Sequence, residues 1–332
     1  MRFLIVKTSS LGDILQTIPC AQFIKSIYPN SILDWVVEEP MQDLISENPY
    51  VDNLIVVNTK KWRKHWRSSF NEVVKMRALL KKYPYDAVFD LQGNSKSAFF
   101  TKMARSQNKI GFGWKSVAEK PNWFVTNKRY DPPTGLNIRQ DYLFLLEEYF
   151  QKKWEMRPTF TTIKQNNWMI CSGSAWQSKQ LSLQSWIQFL KKVEHFASPR
   201  LFFLSGNDKE NEFAKALSQQ FSHSVVLDRL PLLDLKKCMQ EMKLVVSVDS
   251  LPLHLAAEEN IPTFSIFGPS SSKKYKPLGD IHASFSGSCP FDKNFEKRCD
   301  LLRKCINAPC TKNIDIEELG KSFQRWLNDL YK

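Results

Sequence analysis

The chain has 332 residues, enough for one large or two ordinary α/β domains. Hydrophobic residues at 42% and aromatics at 13% exclude an intrinsically disordered chain. A formal net charge of +13 points to an acidic partner: nucleic acid, an anionic membrane surface or a phosphorylated substrate. No apolar run approaches the ~18 residues of a membrane-spanning helix, and residues 3–6 are too short for a signal-peptide core of about 7–15. A cytoplasmic chain with mostly reduced cysteines is therefore expected.

Short apolar runs alternate with helical patterns, the signature of βαβ units and parallel sheets. In the first half, strands are expected at 3–6, 32–37, 54–57 and 86–90, with amphipathic helices over 70–80 and 141–150. Residues 151–165 are polar, contain Pro158, and read as a linker. The alternation then restarts, with strands at 168–171, 201–204, 225–227, 244–248 and 263–267. Two α/β domains follow, 1–155 and 166–313. Residues 314–332 form a terminal helix whose apolar stripe is expected to pack back on the N-terminal domain.

The first turn carries the first chemical signal. A strand opens into Lys7-Thr8-Ser9-Ser10-Leu11-Gly12-Asp13 and then a helical pattern, which places small polar residues at the carboxyl edge of a parallel sheet. Asp13 suits a helix start, where the dipole and free N–H groups favour a carboxylate. On this stretch alone, a simple cap and a reactive carboxylate both remain open.

Three comparable junctions lie in the second half. They are Ser172-Gly173-Ser174-Ala175-Trp176-Gln177-Ser178-Lys179, Ser205-Gly206-Asn207-Asp208-Lys209-Glu210, and Asp249-Ser250-Leu251-Pro252-Leu253-His254. Polar loops at the carboxyl ends of several strands in one domain describe a nucleotide cleft. Lys179 suits phosphate, and the helix after Ser250 offers free N–H groups to a pyrophosphate. Neither the dinucleotide-binding fingerprint nor a P-loop is present, which excludes those glycine-rich modes of holding a nucleotide.

Lys60-Lys61-Trp62-Arg63-Lys64-His65-Trp66-Arg67 is the densest basic run, and its interleaved tryptophans suit a stacked ring bearing acidic groups. Nucleic acid is not the expected partner, because it leaves the three junctions of the second half without a role. Cys289, Cys299, Cys305 and Cys310 contain no C-x-x-C pair. They read as structural thiols, with a metal site as the lesser alternative.

Lys7 to Asp13, Asp34-Trp35-Val36-Val37-Glu38-Glu39, Trp62-Arg63-Lys64-His65-Trp66, Tyr85 to Gly93 with Lys96-Ser97-Ala98, and Val246-Ser247-Val248-Asp249-Ser250 with His254 together resemble the ADP-heptose heptosyltransferases, glycosyltransferase family 9. The resemblance covers nearly the whole chain in order. It implies a GT-B fold, two Rossmann-like domains with parallel sheets facing each other across a cleft. It also implies an ADP-heptose donor on the C-terminal domain, a Kdo-lipid A acceptor on the N-terminal domain, and transfer with inversion.

Carried onto this chain, the resemblance makes Asp13 the general base, with Lys179 assisting catalysis. Ser174, Lys179, Glu210, Asp249, Ser250 and His254 fall at donor-binding positions, while Ser10, Lys60, Lys61, Arg63 and Lys64 would meet the acceptor. No metal ligand set is assigned; a divalent cation is possible but not required. The positive charge would hold the enzyme peripherally at the anionic cytoplasmic face of the inner membrane. Two departures stand out. Leu251 occupies a place where the family pattern often has Gly, and Ala118 one where related enzymes have an acceptor-contacting Arg.

Overall fold

The computed structural model describes residues 1–155, 165–291, 295–305 and 307–332. The chain divides into two compact units, Met1–Met156 and Arg157–Lys332. The expected linker falls largely on residues 156–164, which lie outside the described residues. No described helix is long and apolar enough to cross a membrane.

The first unit holds strands β1 (Arg2–Val6), β2 (Ile32–Glu38), β3 (Asn53–Val57), β4 (Ala87–Asp90), β5 (Lys109–Phe112) and β6 (Lys128–Tyr130). They form one parallel sheet in the order β3-β2-β1-β4-β5-β6. The second unit holds β7 (Asn167–Cys171), β8 (Arg200–Leu204), β9 (Ser224–Leu227), β10 (Leu244–Val248), β11 (Thr263–Phe267) and β12 (His282–Ser286), in the order β12-β11-β10-β7-β8-β9. Both are the doubly wound order in which strand succession reverses beside the first strand. The reversal lies between β1 and β4 in one unit and between β7 and β10 in the other.

The central strands are buried on both faces, as parallel sheets require. Leu4, Ile5 and Val6 of β1, and Leu244, Val245, Val246 and Val248 of β10, have no exposed surface. These near-continuous Val/Ile/Leu runs are why the central strands were legible. β5, β6 and β12 were not expected. β6 reads Lys-Arg-Tyr, β12 is a polar edge strand, and β5 carries Gly111, where a Cβ would come within 2.7 Å of Thr126. β6 and β12 are edge strands that need only partial burial, so their sequences carry little apolar signal, while β5 is an inner strand of only four residues interrupted by a glycine.

The terminal helix, Ile316–Leu330, departs from expectation in where it packs. Its stripe belongs to the core of the second unit rather than to the N-terminal half. Phe323 is fully buried, its ring 5.5 Å from Trp168, 5.5 Å from Phe189 and 5.0 Å from Phe264. Trp168 and Phe264 lie on β7 and β11, and Phe189 on the helix Leu183–Ala197, so this aromatic stripe completes one layer over the second sheet.

Candidate active site

In the second unit, the loops after β7 and β10 meet at the reversal of strand order. The chain leaving β7 makes a 3-10 turn, Gln177–Lys179, which turns Lys179 inward to 7% exposure. Its ammonium donates to Asp249 Oδ2 at 2.6 Å. Asp249 directly follows β10 and is itself buried. The same oxygen accepts Ser270 Oγ at 2.5 Å, from the loop after β11. His254 Nε2 stands 3.8 Å from Oδ1, projecting from the helix Leu251–Glu258. Ser174 Oγ donates to the Asp249 carbonyl at 3.4 Å.

Burial alone would raise the Asp249 carboxyl; the His254 side chain and the Lys179 ammonium outweigh it and hold it well below the usual carboxylate range. Asp249 is therefore an anion that fixes a cation, not a proton acceptor near neutral pH. The sign of its linkage follows. A carboxyl lowered on folding contributes stability above the ordinary carboxylate pKa of ~3.9 and loses it as pH falls through the lowered folded value. Unfolding free energy measured against pH is expected to fall more steeply below about pH 4 in the wild type than in Asp249→Asn. Equal slopes would contradict the assignment.

Ser250 stands at the start of the helix Leu251–Glu258 without a side-chain capping bond, and its hydroxyl lies 3.3 Å from Ser247 Oγ. Glu210 reaches the same edge by another route. Asn207 caps the helix Asp208–Ser218, and Glu210 Oε2 accepts the Gly206 N–H at 2.8 Å. A Cβ on Gly173 would overlap the Glu210 carboxylate, so that side chain lies directly on the backbone of the 172–174 loop. All six donor-position residues expected from sequence thus come together on the carboxyl edge of one sheet. Ser270 was not anticipated. The available signal was a Gly-Pro-Ser-Ser-Ser turn immediately after an apolar strand.

In the first unit, Ser10 caps the short helix Leu11–Leu15 and Asp13 is its third residue. Ser10 Oγ donates to Asp13 Oδ2 at 2.7 Å, and the Ser10 N–H approaches the same oxygen at 3.3 Å. Asp13 is thus a cap partner, half-buried at the mouth of the loop. The loop is held from below. Gln92 Oε1 accepts the N–H groups of Thr8 and Ser9, each at 3.1 Å. Buried Asp90 accepts the Gln92 and Gly93 N–H groups, Thr101 Oγ1 and Asn122 Nδ2. Lys96 bridges Ser9 Oγ at 3.3 Å and Glu38 Oε1 at 3.0 Å. Lys7 is buried and donates to the Leu91 carbonyl and Tyr142 OH. Burial lowers its pKa, with the Asp13 carboxylate first among the charges opposing that shift.

Residues 60–64 of the basic run lie in the helix Thr59–Lys64 after β3, at the same edge of the sheet as Asp13, and the run continues into the helix Trp66–Lys82. Lys60, Arg63 and Lys64 are exposed. Lys61 pairs with Glu72 Oε1 at 2.6 Å in an exposed bridge that solvent screens. Trp62 is half-buried: its Nε1 donates to Glu72 at 3.0 Å and its ring packs 6.3 Å from Phe100, contacts that anchor the helix on the core.

Two doubly wound units, one with a buried lysine–carboxylate–histidine set at its reversal point, have the architecture of GT-B glycosyltransferases. The family model for glycosyltransferase family 9 (heptosyltransferase) matches residues 73–304. Lipopolysaccharide heptosyltransferase 1 of Pseudomonas aeruginosa is 30% identical over 312 residues, covering 90% of this chain and 87% of its own length. The Campylobacter coli protein of the same name is 28% identical over 367 aligned positions, covering 99% of this chain and 100% of its own. The structure of E. coli heptosyltransferase WaaC with ADP superposes with a TM-score of 0.76 at 26% identity, covering 86% of this chain and 92% of that one. The chain belongs to glycosyltransferase family 9, the heptosyltransferases.

Proposed function

We propose that the chain transfers L-glycero-D-manno-heptose from ADP-heptose to a Kdo residue of Kdo-lipid A, with inversion, during synthesis of the lipopolysaccharide inner core. The observation that carries this reading is the Lys179–Asp249–His254 set, with Glu210 and Ser174 beside it: a fixed cation among loops suited to a nucleoside diphosphate. Relatives named lipopolysaccharide heptosyltransferase 1 support the reaction, as does E. coli heptosyltransferase WaaC, solved with ADP and with ADP-2-deoxy-2-fluoro heptose.

In the proposed reaction, Asp13 takes the proton of the acceptor hydroxyl as that oxygen attacks the anomeric carbon. The bond from that carbon to the diphosphate breaks, and ADP leaves with the electron pair. Lys179 and the N–H groups after Ser250 stabilise the charge that grows on the departing phosphate. Asp249 and His254 hold Lys179 in place. Ser10, Lys60, Arg63 and Lys64 receive the Kdo carboxylate and lipid A phosphates, and those anions compete with Glu72 for Lys61. No step calls for a metal ion. The enzyme works at the cytoplasmic face of the inner membrane, drawn there by its positive charge. Ala118 marks the acceptor as the substrate most open to variation in decoration.

Thermal shift against a panel of nucleotides tests the donor. ADP and ADP-heptose raise the melting temperature by mass action, whereas UDP and UDP-sugars do not; the reverse order would refute it. Gly173→Ala probes the Glu210 contact. The new methyl displaces the carboxylate from the loop, and ADP affinity falls about tenfold, the cost of one hydrogen bond to a charged group. Calorimetric titration checks this, and unaltered affinity would remove Glu210 from the donor site.

A further inference from the structure

The four cysteines near the C-terminus serve no step of the proposed reaction, yet the backbone draws them to one place. The Cys310 thiol lies against Gly268, where a Cβ would come within 3.2 Å of its sulfur. The Cys310 carbonyl fills the space where a Gly287 side chain would stand, two residues before Cys289. The Cys299 N–H donates to the carbonyl of Pro269, the neighbour of Gly268, at 2.8 Å. Cys305 closes the turn that Cys299 opens: the Leu302 N–H reaches the Cys299 carbonyl at 3.0 Å, and the Cys305 N–H reaches the Leu301 carbonyl at 2.8 Å. All four are free thiols, and Cys289, Cys299 and Cys305 are only partly buried. Among the described residues, no three such side chains already surround a common point that would hold a metal ion. The backbones converge, and closing on an ion takes side-chain rotation.

We propose that Cys289, Cys299, Cys305 and Cys310 form a four-thiolate site for one thiophilic metal ion of the zinc class, which staples this segment against the substrate loops of the second unit. Four sulfur–metal bonds form as four S–H protons pass to solvent, leaving a net charge of −2 around a divalent ion. Lys297, Arg298, Arg303, Lys304 and Lys312 in the same segment offset that charge.

The staple has a purpose in the fold. The segment braces the loop that carries Lys179: Ser178 Oγ donates to the Leu302 carbonyl at 2.6 Å, and Thr311 Oγ1 donates to the Ser178 carbonyl at 2.9 Å. The Arg303 guanidinium lies 4.5 Å over the Trp176 ring. On the other side, the backbone of Arg298 forms an isolated antiparallel bridge with that of Ser270, whose hydroxyl holds Asp249. A segment with little apolar core of its own is where a structural metal ion contributes most.

The test is elemental analysis of the full-length chain, without a histidine tag, purified under reducing conditions from zinc-supplemented cells. About one equivalent of zinc, or of iron in its place, is expected per chain, falling below about 0.2 in Cys310→Ser and in Cys299→Ser/Cys305→Ser, with Cys238→Ser unchanged. Should a variant fail to fold, cobalt exchange into the wild type gives a thiolate-to-cobalt charge-transfer band. Wild type with less than about 0.2 equivalent of metal overturns the proposal, as does full metal retention in the cysteine variants or a cobalt spectrum without that band. Metal content does not rest on the heptosyltransferase reading: a metal-loaded chain indifferent to ADP would sink that reading alone.

Discussion

Asp13→Asn is expected to lower kcat by about 10²–10⁴-fold while leaving ADP affinity and melting temperature unchanged. The substitution keeps an oxygen that can accept the Ser10 hydroxyl, so the cap of the helix Leu11–Leu15 survives. What it removes is the carboxylate's basicity. The two roles of Asp13 therefore come apart in one variant. If the side chain only caps, Asn substitutes for it and turnover stays near wild type; if it is the base, turnover collapses in a well-folded protein. Steady-state kinetics with a melting curve on the same sample decide between them. Asp13→Ala is less informative, since loss of the cap alone costs about 0.5–2 kcal/mol.

Lys179→Ala is the second large effect, and it acts twice. Removing the ammonium leaves Asp249 buried with Ser270 and His254 but without its closest cation, and breaking a buried pair costs about 3–5 kcal/mol. The diphosphate also loses its charged partner, which weakens ADP binding by about 10–100-fold, the cost of one hydrogen bond to an ion. The pair Lys179→Met with Asp249→Leu separates the effects: stability returns toward wild type because no buried charge is left unpaired, while ADP affinity does not. Denaturant unfolding and calorimetric titration read the two independently. Recovery of ADP binding in the double variant would show that Lys179 acts only as a structural partner of Asp249.

The sequence made the central architecture readable because buried parallel strands leave unbroken apolar runs. The strand at 244–248 was delimited to the residue, and the strands at 3–6, 168–171 and 201–204 to within one residue. The short edge strands β6 and β12 gave no such signal. The terminal helix announced its apolar stripe through Leu319, Phe323 and Trp326 but not its destination, because a stripe fixes which face is buried and not against what. The loops that carry the six expected positions were legible from three strand-to-helix junctions, and the family resemblance alone assigned them to a donor, whereas Ser270 was hidden in a turn whose partner, Asp249, lies 21 residues away. Composition gave no sign that Trp62 anchors its helix, because its partners Glu72 and Phe100 lie 10 and 38 residues away. Asp13 was ambiguous in sequence for a physical reason: the position that suits a cap is also the position that exposes a carboxylate at the sheet edge.

The most direct measurement is ADP release by the purified chain supplied with ADP-heptose and Kdo-lipid A, run beside Asp13→Asn. Acceptor-dependent ADP release by the wild type, reduced at least about a hundredfold in the variant, is the expected result. No acceptor-dependent release by the wild type, or equal release by the two proteins, would contradict the reaction or the base assigned to it.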